Sequence, residues 1–484
     1  MSLRHRGQGS GTHRRRGAIA FSIVATVSLL SAACTRSQGE VETGATPTTA
    51  AGAGSTTATG GSSAGAGDFG DLKKVCGDGD GSGATAQGVT DDAIRVATFS
   101  DPGFVSRPGL NQELFDATKV FTEWCNAAGG INGREIQVDE RDAKLTEFKQ
   151  RVTESCQDDF MMVGGGAVFD ETGQDERLKC LLPDIPAYQV SATARGADLA
   201  VAPLPSALDE TPLAIYQYLE KKFPGSVDKV GFVTGNVPAT VLVDKQNQEA
   251  VKSLAWKITY QAQYNAAGES SWTPFAQALQ SKGVKGLVYT GEPENMAKLL
   301  QAIADIDYQL DWAVVGANHL DAKFVEVGGA AVHDVYMYSA IVPFFQAAEN
   351  PATQQYEDLF QQYLPDGKND ALLGVNSFSA WLLFATAVKS CGSEVTRRCV
   401  FEAAAGTTSW TGGGLHAETD PSSGKASRCG TVVEATPEGF KVPDDFELTD
   451  GLFRCADDSV LGLEGDYGQG ATLEGVGKTM DDLE

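Results

Sequence analysis

Histidine is scarce. The 484 residues hold five, and only His319, His333 and His416 lie beyond the first 33 residues. These three stand far apart without ligand spacing, and no C-x-x-C pair exists, so neither a metal site nor a cofactor is expected. Basic residues are also few: Lys+Arg number 38 against Asp+Glu 64, a formal charge of -26. No basic stripe follows residue 20, which argues against nucleic acid as a partner. No G-x-S-x-G elbow follows a strand, no Ser/His/Asp set has a recognisable context, and no strand–G-x-G-x-x-G–helix occurs. An exported α/β enzyme is therefore the weaker reading, and catalytic residues are not assigned. Gly477, Lys478 and Thr479 imitate the end of a phosphate loop. Thr472 stands where its first glycine belongs, and too few residues follow for the helix such a loop opens.

What is present begins with an export signal over residues 1–33. Arg4, Arg6, Arg14, Arg15 and Arg16 precede the apolar run "GAIAFSIVATVSLLSAA". "LLSAAC" resembles a bacterial lipobox, which implies lipidation of Cys34 and attachment to the outer face of the cell membrane. Ser31 departs from the pattern where a Leu is usual; ordinary cleavage and a retained transmembrane helix are the alternatives. From Thr35 the chain is Gly, Ala, Ser and Thr, so residues 34–87 read as a flexible linker. The acidic, Gly-rich residues 456–484 read as a flexible tail.

Between these ends, strands alternate with helices. "AIRVATF" is β-rich; Leu110, Leu114, Ala117, Phe121 and Trp124 then recur on one helical face. "REIQVDE", "FMMVGG", "PAYQV", "KVGFVTG", "GLVYTG" and "WAVVGA" continue the pattern, each with a helical segment after it. Nine or so strands over about 330 residues predict two parallel sheets, each covered by helices. "CNAAGGINGREIQV" puts Gly129, Gly130 and Gly133 after a helix and before a strand. A phosphate loop needs the reverse order, so this stretch turns a corner.

"GVTDDAIRVATFSDPG", "FTEWCNAAGGINGREIQVDERDAK", "MMVGGGAVFDETG" and "IPAYQVSATA" together resemble the type I periplasmic binding proteins. Nearest among them is the branched-chain amino-acid (leucine/isoleucine/valine) group of ABC importer substrate-binding proteins. The resemblance spans about Gly88 to Pro443. It implies two doubly wound α/β lobes joined by three hinge crossovers, with lobe one at 91–208 plus 341–411. Lobe two is then 209–340 plus 412–443, with crossings near Pro203, Ser339 and Gly413. It also implies a monomeric solute receptor that delivers a small polar ligand (an amino acid, an amide or similar) to an ABC permease. A lipoprotein sensor or partner-binding receptor on the same fold is the alternative.

In open α/β sheets ligands lie at the carboxyl ends of the strands. Gly164, Gly165 and Gly166 offer backbone amides there. Ser191 and Thr193 match the family's S-A-T element, which holds ligand carboxylate and ammonium. Phe104 and Arg107 lie in the loop after strand one; Phe169 offers a pocket wall. Asn236, Glu292 and Asn318 follow strands of lobe two. Each has a plainer reading, as turn, cap, packing or surface residue. Three departures bear on the ligand. Asn318 and His319 stand where an amino-acid binder carries an acid, "GAVFD" replaces a Ser-rich element, and "NVPAT" lacks the expected tyrosine. An ammonium without an acidic partner is costly to bury, unless Glu292 or Asp170 substitutes, so a neutral or weakly charged ligand is expected.

Eight cysteines remain after Cys34, an even number in an exported chain. A short helix connection predicts Cys391–Cys399, flanking of the C-terminal strands Cys429–Cys455, and adjacent βα units Cys156–Cys180, which leaves Cys76–Cys125.

Overall fold

The computed structural model describes residues 65–484; the signal peptide, Cys34 and most of the expected linker lie outside the described residues. Lobe one opens with β1 (Ala93–Ser100), α1 (Gln112–Ala127), β2 (Glu135–Asp142), α2 (Phe148–Asp158), β3 (Met162–Val163), α3 (Gln174–Lys179) and β4 (Asp184–Ile185). Its four strands are parallel, in the order β2-β1-β3-β4. "PAYQV" is not a regular strand: the ladder of β4 ends at Ile185, and only Ala187 N still donates toward β3, to the Gly165 carbonyl at 2.9 Å.

Lobe two follows: β5 (Glu210–Pro212), α4 (Ala214–Lys222), β6 (Val230–Gly235), α5 (Pro238–Ser253), β7 (Ile258–Tyr264), α6 (Thr273–Lys282), β8 (Gly286–Thr290), α7 (Pro293–Ala304), β9 (Trp312–Val315), α8 (Ala322–Gly328) and β10 (Val335–Ser339). The chain then returns to lobe one with α9 (Pro351–Tyr363), α10 (Leu372–Ser390) and α11 (Arg397–Ala405). It ends with β11 (Cys429–Thr436), β12 (Gly439–Lys441), β13 (Arg454–Cys455) and β14 (Val460–Gly462). The lobe-two sheet runs β12-β11-β10-β9-β8-β6-β7, with β13 on β11. Its middle is parallel; β11, β12 and β13 are antiparallel additions.

Prolines open several helices, as at Pro238, Pro293 and Pro351, where a missing N–H costs nothing. α10 is apolar all round and long enough to cross a membrane. It is instead buried in lobe one, where Trp381 stacks on Phe121 of α1 with ring centres 5.5 Å apart. The glycine corner turns as expected. Gly129, Gly130 and Gly133 all have positive φ, and a Cβ on Gly130 would sit 2.1 Å from the Arg134 carbonyl oxygen.

Three passages of chain join the lobes: between β4 and β6, between β10 and α9, and between α11 and β11. They are stitched together. Thr419 Oγ1 donates to the Pro203 carbonyl at 2.7 Å, and Ala417 N to the Ala340 carbonyl at 2.7 Å. His416 is buried beside them. Its Nδ1 faces the Ala417 carbonyl at 2.8 Å, an atom that can only accept, so Nδ1 carries the proton and Nε2 accepts from Ser379 Oγ at 2.8 Å.

Both ends depart from expectation. The linker was expected to reach residue 87, yet Phe69 and Val75 are buried in the lobe-one core and Cys76 is bonded to Cys125. Two large apolar side chains and a disulfide outweigh the Gly-rich composition around them. Residues 456–484 are not a loose tail either. β13 and β14 extend lobe two beyond residue 443, with β14 paired to β5. The chain then crosses back a fourth time. Ala471 N donates to the Thr193 carbonyl at 2.8 Å, and Leu473 and Leu483 are buried against Leu178 and Leu199. Arg398 of α11 holds the end, donating to the Leu483 carbonyl at 2.9 Å. The other disulfides are Cys156–Cys180, Cys391–Cys399 and Cys429–Cys455.

Candidate ligand cleft

The carboxyl ends of both sheets face one another across the hinge, and the structure is closed there. Val168, Phe169, Glu171 and Ser191 of lobe one meet Val237, Pro238 and Ala239 of lobe two around a cavity of only about 10 Å³. A ligand enters when the hinge opens.

Lobe one's wall is built on two buried carboxylates. Asp101, just after β1, accepts from the amides of Leu145 (2.6 Å) and Val168 (2.9 Å), setting the height of the 166–169 loop. Asp170 accepts from Val190 N at 2.7 Å and Ser191 N at 3.0 Å, pinning the opposite loop. Burial raises both; Asp170 is pushed up to about 6 despite the amides it accepts from. Ser191 Oγ lies 3.0 Å from Thr193 Oγ1 and accepts from Ala194 N at 3.2 Å.

The three glycines serve packing. A Cβ on Gly164 would meet the Trp381 indole at 2.4 Å, on Gly165 the Phe99 backbone at 2.4 Å, and on Gly166 the Tyr188 ring at 2.4 Å. The Gly164 and Gly166 amides already donate to Ile185 and Phe99 carbonyls, so the expectation that Gly166 N–H holds an anion is corrected. Tyr188 itself covers this floor. Its hydroxyl accepts from Asn111 Nδ2 at 2.8 Å, a pairing that sequence spacing does not reveal.

In lobe two, Asn236 Oδ1 accepts from Ala266 N at 3.0 Å, and Asn318 Nδ2 donates to the Gly291 carbonyl at 3.2 Å. Both side chains brace loops. Burial lowers His319 to about 3, so it is neutral, and its Nδ1 faces the Gly316 carbonyl at 3.1 Å. Glu292 pairs with Arg107, which also donates to Glu294 at 2.9 and 3.1 Å. Burial pulls Arg107 down, but Glu292 and Glu294 outweigh it and raise it. A second bridge joins Lys368 of lobe one to Asp321 of lobe two at 3.2 Å. Of the eight candidate residues, Phe169 and Ser191 share the closed cavity. Phe104 is half-buried in the Arg107 loop, and Thr193 is exposed.

Residues 201–440 match the family model described as "Periplasmic binding protein". Those residues are just under half of the chain and are similar to that family, and the described chain is built of two α/β lobes. The motifs of the first lobe lie upstream of the matched segment. Several solved structures share the fold. A fatty acid ABC transporter substrate-binding protein from Thermomonospora curvata has TM-score 0.64 and 16% identity, covering 77% of this chain and 95% of its own. A leucine-binding protein from Thermotoga maritima has TM-score 0.61 and 14% identity, covering 76% and 100%. A branched-chain amino-acid transporter substrate-binding protein from Streptococcus pneumoniae, solved with isoleucine, has TM-score 0.60 and 16% identity, covering 73% and 99%. Curated protein sequences give no significant match. The periplasmic binding protein fold thus extends over both lobes, at identities that speak for fold alone.

Proposed function

We propose that this protein is the extracytoplasmic solute receptor of an ABC importer, anchored through a lipid on Cys34, and that it binds without catalysing. The observation that carries this reading is the cleft itself. Two parallel-sheet lobes present their carboxyl-end loops to each other, joined by polar bridges that an opening hinge would break: Arg107 to Glu292 and Glu294, Lys368 to Asp321.

The ligand is a small aliphatic carboxylate or amide with no cationic group. Phe169, Val237 and Pro238 supply apolar walls, and Ser191 a hydroxyl. An ammonium needs an unpaired carboxylate held out of water. Glu171 lines the cavity without a protein partner among the described residues but is exposed, and the other nearby ones are engaged. Glu292 is held by Arg107, and Asp170 and Asp101 by backbone amides. Relatives on this fold are named for a fatty acid, for leucine and for isoleucine; an aliphatic body bearing a carboxylate is common to all three. A thermal-shift screen over carboxylates, amides and amino acids tests the reading. Stoichiometric binding with the compound recovered unchanged supports it; turnover contradicts it.

A further inference from the structure

The C-terminal segment passes from lobe two to lobe one through a short span anchored at both ends. On lobe two, three donors converge on one carboxylate of α5. Glu464 N at 2.6 Å, Gly465 N at 3.2 Å and the Tyr467 hydroxyl at 2.5 Å all reach Glu249. On lobe one, Ala471 is stitched into the turn that carries Ser191. Its N–H donates to the Thr193 carbonyl at 2.8 Å, and its carbonyl accepts from Asp198 N at 2.9 Å. Leu473 N then donates to Asp198 Oδ2 at 2.7 Å.

Gly468, Gln469 and Gly470 alone lie between these anchors. The four steps from Tyr467 to Ala471 reach about 14 Å at full extension. The two glycines let the span lie against the turn. A Cβ on Gly468 would sit 2.7 Å from the Ala192 Cβ, and one on Gly470 2.3 Å from the Gly196 carbonyl oxygen. The span also follows the seam that holds the cleft. Glu249 and Pro238 stand three turns apart on α5 and so share one flank. Pro238 meets Ser191 around the closed cavity, and the span runs from Glu249 to the residues next to Ser191.

We propose that residues 463–473 form a strap that limits how far the hinge opens, with Glu249 the positioning residue that fixes its lobe-two end. The proposal rests on the reading of this protein as a hinged receptor and deepens it. Three crossovers let the lobes swing, and a fourth of fixed length ends the swing. Opening that draws Thr193 and Glu249 beyond the reach of the span must break hydrogen bonds at one anchor. Those on Glu249 are charge-assisted, the stronger kind. The strap therefore favours closed over wide-open states.

Nitroxide labels at Lys119→Cys on α1 and Lys298→Cys on α7 read the lobe separation in the exported chain without ligand. Both positions are exposed, eight native cysteines are paired, and Cys34→Ser keeps the label to the two sites. Inserting six Gly/Ser residues between Gly468 and Gln469 keeps both anchors and adds about 20 Å of reach. The long-distance edge of the separation distribution should then move outward by roughly 5 Å or more. Glu249→Ala, which frees the lobe-two end, should move it the same way, and Glu249→Gln, which keeps an acceptor there, should move it less. A segment that only adds stability would lower the melting temperature of Glu249→Ala without moving the edge. An edge left at its wild-type place in the insertion variant would overturn the strap. The receptor reading would survive that result, because the solute screen tests it separately.

Discussion

Arg107 of lobe one grips Glu294 of lobe two through two hydrogen bonds, of 2.9 and 3.1 Å, while its other nitrogen holds Glu292. The three side chains are 35–50% exposed, so the pairs add little to global stability. Their effect falls on the open–closed equilibrium. Arg107→Gln should speed ligand release about three- to tenfold with little change in association, and high salt should mimic it in the wild type. Stopped-flow release measured at two ionic strengths checks this; a salt-independent release rate would contradict it.

The fourth crossing should be structural. Leu483 is 1% exposed among Leu178, Leu199 and Leu473, so Leu483→Ala should cost about 2–5 kcal/mol. Denaturant unfolding measures it. A cost below about 0.5 kcal/mol, typical of a surface change, would restore the reading of a loose tail.

Asp170 gives a pH signature. Burial raises it from 3.8 to about 6, so between these values the folded state holds a proton that the unfolded state has released. Stability from this group is full below pH ~4 and declines as pH rises to ~6, by up to about 3 kcal/mol. Asp170→Asn lacks that slope. The melting-temperature difference, variant minus wild type, should grow between pH 4 and pH 6. A flat difference would show that Asp170 is not the buried acid.

Gly166→Ala probes the packing of the cleft floor. The added carbon would sit 2.4 Å from the Tyr188 ring and 2.8 Å from its carbonyl oxygen. Displacing Tyr188 breaks its bond to Asn111 and the shape of the lobe-one wall. Ligand affinity should fall by about tenfold or more, as titration calorimetry will read, whereas Tyr188→Phe should cost less.

The fold was legible where local rules apply. Alternating four- and three-residue spacing from Leu110 to Trp124 marks α1, and Gly129, Gly130 and Gly133 turn the corner that their order predicts. Cysteine places along the chain, read against the elements beside them, anticipate the four bridges. The C-terminal crossing was not legible. Its anchors, Leu473 and Leu483, are isolated apolar residues in a Gly-rich acidic stretch, and only tertiary contact with Leu178 and Leu199 gives them a core. The cleft was half legible. The resemblance points to Ser191, a strand end to Glu292 and charge to Asp170, but the partners that occupy them come from other segments. Arg107 lies 185 residues from Glu292, and Asn111 lies 77 from Tyr188. Composition near a strand end does not show whether a polar group is free or spent.

The engagement of Glu292 and Asp170 by protein partners underlies the ligand assignment, and one matched pair tests it most directly. Leucine and its des-amino analogue 4-methylpentanoate share the aliphatic body and the carboxylate; only leucine brings an ammonium to be buried. Calorimetry on the wild-type protein should find 4-methylpentanoate bound at least as tightly as leucine. Micromolar leucine binding with the des-amino compound a hundredfold weaker would mean that the cleft holds an unpaired acid, and the account would be wrong.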